Sequence, residues 1–489
     1  MLAKHLFCGC LLFILADGMP ALAANLPTTG TGQDLSISQA VETALANNLN
    51  LRLQREEVNS ATGAEQIAQG TFDTTLSASL QAESSEASLF TQGYVGSDES
   101  ASLQGSLEKQ FITGTQVELS LNNSRFDYVD TGRFADPAYN ATLSLGISQP
   151  LLKGFGKDIQ TAEIEAAKKS LAAASFAVDS LAADLAAQVK AAYWDLVYAW
   201  QDIEVKRLSL TLASKLLEET DAKIKAGKLA DVDIYQPQSE VARREEFLIG
   251  AERAIGVAED DLKLLMNTVQ WATALNPTDQ PVTDPRHPDP EQILTEALNN
   301  RPDLKAADLA AEAASLKQRI ATDNTRPNLA LAGSVGYGGS ETDYGKTFDA
   351  ALDDPQTNWQ IGLEFSMPLD NTAAKGSLLQ AKADYNSAKT SAELLRLQTQ
   401  KKVRTTVRDV ELAIKAIEAT HKTSLASAKR LEAEQAKFAA GRATTLDVLT
   451  AQDAYSQALS LENQSRIAYV KVLAELDRIQ GKISLHAGY

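Results

Sequence analysis

Two aspartates occupy the same place in two similar phrases. "AGKLADVD" runs from Ala226 to Asp233 and "AGRATTLD" from Ala440 to Asp447; each has a lone Gly, a basic residue after it and an Asp six positions past the Gly. Carboxylates at a repeated corner can attract cations, line a constriction or cap a helix, but alone they do not make a catalytic centre. The residues that would complete one are scattered. His287, His421 and His486 lie far apart and lack metal-ligand spacing. "YGGSETDYG" (Tyr337–Gly345) is Gly-rich, yet no strand–loop–helix phosphate cradle follows it. Tyr193, Trp194, Tyr198 and Trp200 read as helix-packing core rather than a ligand box. No catalytic residue, cofactor or metal is expected.

The corners must be positioned by the segments before them, which are the longest in the chain without Gly or Pro. Lys157–Ala226 runs about 70 residues and Ser377–Ala440 about 64, so as helices each would reach roughly 95–105 Å. No globular core is that long, so coiled coils or an assembly of them are expected. Val403, Val407, Val410, Ile414 and Ile417 alternate steps of four and three, the heptad seam, and Val189, Tyr193, Leu196, Trp200 and Ile203 repeat it. Ala182, Ala183, Ala186 and Ala187 would allow close helix approach on another face. Each long helix is expected to turn at its Gly, where left-handed backbone is cheap, and to return as a hairpin.

The corner is one part of a larger repeat. "ETALANNLNL" (Glu42–Leu51) matches "TEALNNRPDL" (Thr295–Leu304), Leu76 aligns with Leu329, and "LGISQPL" (Leu145–Leu151) matches "LEFSMPL" (Leu363–Leu369). The reading is a tandem duplication: residues 1–23 a signal peptide, 24–275 the first repeat, 276–290 a Pro-rich extended linker and 291–489 the second repeat. Each repeat holds short helices, strands and a long helical hairpin. Cys8 and Cys10 fall in the signal segment, where neither suits lipid attachment, so packing alone must hold an exported chain. A net charge of -18 argues against nucleic acid.

Beyond the signal no run of about 18 apolar residues is seen, so membrane entry would need a β-barrel. "ATLSLGIS" (Ala141–Ser148), "NWQIGLEFSM" (Asn358–Met367), "NLALAGSVGY" and "TQVELSLNN" alternate apolar with small or polar residues. That is the pattern of barrel strands with a wet lumen, and also of a sandwich with one solvated face. Export and the long helices favour the barrel, and "YGGSETDYG" then reads as an extracellular loop. The first repeat holds roughly 35 surplus residues around "FITGTQ" (Phe111–Gln116), enough for one more hairpin, inside or outside the wall. Each repeat has too few strands to close a barrel alone, which calls for oligomers.

Duplicated halves, two strand regions, two hairpins and the phrases "YWDLVYAW", "SQPLLKGFGKD", "AGKLADVD" and "AGRATTLDVLTAQDAY" resemble the TolC family of outer-membrane efflux channels over essentially the whole mature chain. The resemblance implies a membrane β-barrel plus an α-helical barrel, with long coiled-coil helical hairpins in a homotrimer. It implies an exit duct in the cell outer membrane extending into the periplasm, contacting outer-membrane lipid. A periplasmic adaptor and an inner-membrane pump would complete a tripartite efflux or type I secretion system. A periplasmic coiled-coil adaptor or a structural fibre protein is the competing reading; one hairpin, or no membrane-type strands, would then be expected.

The resemblance also assigns the corners. The hairpin turns would form the periplasmic entrance, with Asp447 and Asp233 matching acids of its narrowest ring. A second acid three residues on is replaced by Thr450, and Phe438 stands where some relatives have a Tyr that latches the entrance to an Asp. The Arg and Thr of a further latch contact match Ala443 and Val232, leaving Arg442 or Lys228 as substitutes. Gly227, Lys228, Gly441 and Arg442 would meet the adaptor. Against the ring reading stands a plain one, in which both acids flank helix starts favoured by the macrodipole.

Overall fold

The computed structural model describes residues 32–89, 94–128, 138–353 and 355–482; the signal segment and His486 lie outside them. The first half runs β1 (Gln33–Leu35), α1 (Ile37–Asn47), α2 (Leu49–Gly70), β2 (Thr74–Leu89), β3 (Tyr94–Gln110), β4 (Gln116–Tyr128), β5 (Ala138–Pro150), α3 (Lys157–Gln160), α4 (Ala162–Lys225) and α5 (Tyr235–Met266). The second runs β6 (Leu275–Pro277), α6 (Pro290–Asn300), α7 (Pro302–Asp323), β7 (Asn328–Glu341), α8 (Tyr344–Asp353), β8 (Gln356–Ser366), α9 (Thr372–Ala439) and α10 (Thr445–Ile479).

The long helices have 64 and 68 residues, about 96 and 102 Å at 1.5 Å per residue. α9 starts earlier than expected because it runs through Gly376, where a side chain would meet open space. A lone helical Gly costs only about 1 kcal/mol, too little to break a helix of this length. The predicted seams are used. Val189, Tyr193, Leu196, Val403, Val407 and Val410 are buried in one core, with Trp200, Ile414 and Ile417 packed against it, and Ile203 is buried further along α4. α4 also holds one 18-residue window of mean hydropathy 1.3, contrary to the expectation that no such stretch exists. Its alanines raise the average, and α4 packs instead against α2, α5, α7 and α10.

The linker is strapped down rather than loose. β6 pairs in parallel with β1, and the Tyr193 hydroxyl, buried in the core, has Asp279 Oδ2 and Leu35 O within reach of its one proton while accepting from the Thr278 and Asp279 amides. Pro290 then opens α6 behind its Asp289 cap, where a missing N–H costs nothing.

Six strands form one antiparallel sheet in the order β2-β3-β4-β5-β7-β8. The register carries rows of like residues across it. Leu76, Leu107, Leu119, Leu145, Val335 and Trp359 form one apolar row; the neighbouring row on the other face is Ser77, Ser106, Ser120, Ser144, Gly336 and Asn358. One face is therefore largely apolar and exposed, except where α8 covers Ala141 and Gly339, and the other is polar. The polar face holds a hollow of about 430 Å³ lined by Glu108, Glu118, Ser148, Ser334, Gln360 and Glu364 among others.

Two local readings change. "FITGTQ" turns as expected, with Gly114 at φ 90, but its hairpin joins the sheet. "YGGSETDYG" is not wholly loop: through Glu341 it continues β7, and from Tyr344 it forms α8. Gly339 is small because α8 lies against it; a Cβ there would stand 2.6 Å from the Thr347 carbonyl.

Candidate functional site at the hairpin tips

The turns of the two hairpins close in the same way. After α4, the Gly227 amide donates to Ile224 O and the Lys228 amide to Lys223 O, both at 2.8 Å; after α9, Gly441 donates to Phe438 O at 3.0 Å and Arg442 to Lys437 O at 2.8 Å. These paired bonds satisfy carbonyls that the helix end leaves orphaned. They require a left-handed residue, and Gly227 and Gly441 supply it at φ 68 and φ 70. No atom lies within 4 Å of a Cβ built at either position, so conformation rather than crowding selects Gly.

Both acids serve the helix starts that follow. The Asp447 carboxylate accepts from the Thr444 amide at 2.8 Å and the Thr444 hydroxyl at 2.6 Å, while Thr444 Oγ1 accepts from the Asp447 amide at 3.2 Å. That reciprocal exchange is a capping box. The Thr444 hydroxyl, then its amide, holds the Asp447 carboxyl below the usual carboxylate range. Asp233 makes only half of it, accepting from the Ala230 amide at 3.0 Å, because Ala230 has no side-chain oxygen to return. Thr450 turns its hydroxyl back to Leu446 O at 2.8 Å.

Phe438 is a correction. Its side chain is 2% exposed and sits with Leu216, Leu431, Val448, Leu449 and Ala451 in a small core that joins the hairpins, so it lines no entrance ring. The Lys223 ammonium reaches across from the first hairpin, donating to Phe438 O and standing 3.3 Å from the centre of its ring. Burial, with Lys228 adding its like charge, lowers the Lys223 pKa, and Glu219 opposes. No side-chain hydrogen bond or ion pair joins Lys228 or Arg442 to another described residue, so neither takes the latch role within one chain. Both are exposed beside their glycines.

The polar tie between the hairpins lies in residues the sequence reading passed over. Arg244, 2% exposed on α5, donates to Asp453 Oδ1 on α10 at 2.8 Å and to Glu240 Oε1 at 3.0 Å, and also bonds Ser209 Oγ on α4. Arg243 adds a bond of 2.7 Å to Asp453 Oδ2. Glu240 and Asp453 hold the Arg243 guanidinium above the usual arginine range. The signal was present in "SEVARREE": Glu240 stands three and four residues before the two arginines, spacing that puts all three on one helix face. The partner on α10 could not be read from spacing.

Two hairpins, each with one arm about 100 Å long, thus stand on a sheet with one largely apolar face. A profile of the family described as "Outer membrane efflux protein" matches residues 293–482. The chain is 22% identical over 298 residues to "Outer membrane protein TolC" of Vibrio cholerae, 61% of this chain and 67% of that protein. It is 22% identical over 383 residues to "Nodulation protein T" of Rhizobium leguminosarum bv. trifolii, 76% of this chain and 78% of that one. The solved structure of the outer-membrane channel OprN matches with a TM-score of 0.70 at 18% identity, over 91% of this chain and 89% of that chain. Residues 293–482 thus match the outer-membrane efflux protein family, and the chain as a whole is similar in sequence and fold to TolC-like outer-membrane channels.

Proposed function

We propose that three copies of the chain form a passive exit duct across the outer membrane and periplasm. A periplasmic adaptor and an inner-membrane pump complete a tripartite efflux or type I secretion system, and the pump selects the cargo. The observation that carries this reading is the apolar sheet face: Leu76, Leu80, Trp359, Ile361, Leu363 and Phe365 stand exposed in the single chain. Such a face belongs in lipid, and a sheet in lipid must close on itself. Closure by copies also suits the helices. Leu53 and Ile67 on α2 and Leu379, Leu394 and Leu397 on α9 are exposed apolar side chains on long helices, as expected where neighbouring copies pack.

In this reading residues 24–275 and 291–489 are repeats joined by the 276–290 linker, and the hairpin tips are the periplasmic entrance. Asp447 of each copy contributes to a ring of carboxylates on the threefold axis, with Asp233 a weaker contributor. Three carboxylates on an axis repel one another, so assembly raises a pKa that Thr444 lowers in the single chain. Gly227, Lys228, Gly441 and Arg442 offer open, partly basic turns for an adaptor. The test is fractionation. Outer membranes should hold the mature chain, starting near Ala24, as an oligomer that resists mild detergent and dissociates on heating. A soluble periplasmic monomer would sink the proposal and leave the adaptor or fibre reading.

A further inference from the structure

We infer that each copy places six strands in the membrane wall, β2 of one copy pairing with β8 of the next, so that three copies close an eighteen-stranded barrel. The inference rests on the trimeric duct reading and goes beyond it, because the repeat alone predicts a smaller wall. By alignment β2 matches β7 through Leu76 and Leu329, and β5 matches β8 through "LGISQPL" and "LEFSMPL". β3 and β4 have no counterpart. If that surplus hairpin stood aside, β2 would pair with β5 as β7 pairs with β8, giving four strands per copy.

The hairpin instead lies between β2 and β5, paired to both along continuous registers. It also carries the face pattern of the wall. Leu103, Leu107, Leu119 and Leu121 extend the apolar face, and Gln104, Ser106, Ser120 and Asn122 extend the polar one. A hairpin projecting into water would have no use for a lipid-compatible face in register with its neighbours. Ser120 Oγ stands 2.6 Å from Ser144 Oγ, tying β4 to β5 on the polar side.

The two outer strands are where a second copy fits. Along the apolar row Leu76 on β2 is 77% exposed and Trp359 on β8 is 75%, against 41% for Leu119 and 39% for Leu145 in the middle. The outermost side chains lack a neighbour on one side. In lipid, so long an open edge would also strand a row of N–H and C=O groups. β2 runs away from the helices and β8 runs back towards them, so a β8-to-β2 junction is antiparallel like every other in the sheet. Six strands, an even number, make that continuity possible around the ring. Barrel width grows roughly linearly with strand number, so this wall is about half as wide again as one built without the hairpin. A wall of that size encloses an aqueous channel, and the exit suits bulky cargo such as polypeptide.

Cysteine pairs test the wall, since Cys8 and Cys10 fall in the signal segment. Under oxidation, Ser120→Cys with Ser144→Cys should form an intrachain disulfide in the full-length trimer, and Ser77→Cys with Ser144→Cys should not. Scanning Ser77→Cys, Ser79→Cys and Gln81→Cys against Gln360→Cys should find one register that links copies into covalent trimers. A chain lacking residues 94–128 should still assemble, with a smaller single-channel conductance once the entrance is opened. The opposite disulfide pattern, Ser77 to Ser144 in an intact trimer, would overturn the eighteen-stranded wall and leave the duct standing. Absence of any oligomer would overturn both.

Discussion

The turns at Gly227 and Gly441 close with the same pair of backbone hydrogen bonds and the same left-handed glycine, yet the helices leaving them begin differently. After Gly441, Thr444 and Asp447 satisfy each other's amides and α10 starts at once. After Gly227, Ala230 cannot cap, the chain passes through a 3₁₀ turn at Asp231–Ile234, and α5 starts without a side-chain cap. Phe438 then seats the second tip in the core shared by both hairpins, and Lys223 of the first tip reaches over to hold it. The comparison teaches that the Gly sets the path of a corner, whereas the cap decides how firmly the acid beyond it is fixed. The second tip is the anchored one. The first starts its helix without a cap, and it is joined to the second through Leu216 and Leu229 in the shared core, through Lys223 and through Arg244.

The tie at Arg244 gives the largest expected effect. Asp453→Ala leaves the buried Arg244 guanidinium with Glu240 and Ser209 but without its partner on α10, and losing that charge-assisted hydrogen bond costs about 1.5–3 kcal/mol. Thermal unfolding of the purified oligomer should shift down, and hydrogen exchange should rise in both tips together. A change confined to α10 would mean that the hairpins are not coupled there.

Gly441→Val and Gly227→Val come next. Each forces a β-branched residue into left-handed backbone at a cost of about 1–3 kcal/mol, with no clash to add to it. Export should fall while trimer abundance in the membrane holds, and Gly441→Val should be the worse, because it disturbs the anchored tip. If trimers fail to form instead, the glycines serve folding and the docking role loses its support.

Removing the cap is smaller. Thr444→Ala should cost about 1 kcal/mol, read as faster amide exchange in the first turn of α10. Ala230→Thr should slow exchange in the first tip, making the two corners alike. The Asp447 carboxyl sits below the ordinary value of 3.8, so in the single chain the exchange with Thr444 stabilises above that value. Its contribution is lost as pH falls through the lowered pKa. Protection of the Asp447 amide, taken relative to its intrinsic exchange rate at each pH, should therefore fall with acidification in wild type and change less in Thr444→Ala.

Much of this was legible in the chain because long elements announce themselves through period. The heptads at Val189–Ile203 and Val403–Ile417 gave the helical seams, and strict alternation located β4, β5, β7 and β8. The repeated glycines gave the corners, since only a left-handed position demands that residue twice. What escaped was decided by tertiary contact. Phe438 looked like a surface residue beside a turn, but the neighbouring hairpin supplies the apolar atoms that bury it. The partnership of Arg244 with Asp453 spans 209 positions and has no periodic signature. Gly376 marked a helix start by composition, and the packing of a 68-residue helix overrode it.

The central claim is that the oligomer is a passive duct with Asp447 at its entrance, and planar-bilayer recording tests it most directly. Purified oligomer should give discrete conductance steps, select cations, and be blocked by a trivalent metal complex added on the side of the hairpin tips. Asp447→Ala should weaken selectivity and block together, with Asp233→Ala a smaller change. A preparation that inserts without conducting would contradict the duct. Conductance with unchanged block in Asp447→Ala would contradict the ring and leave Asp447 as the cap of α10.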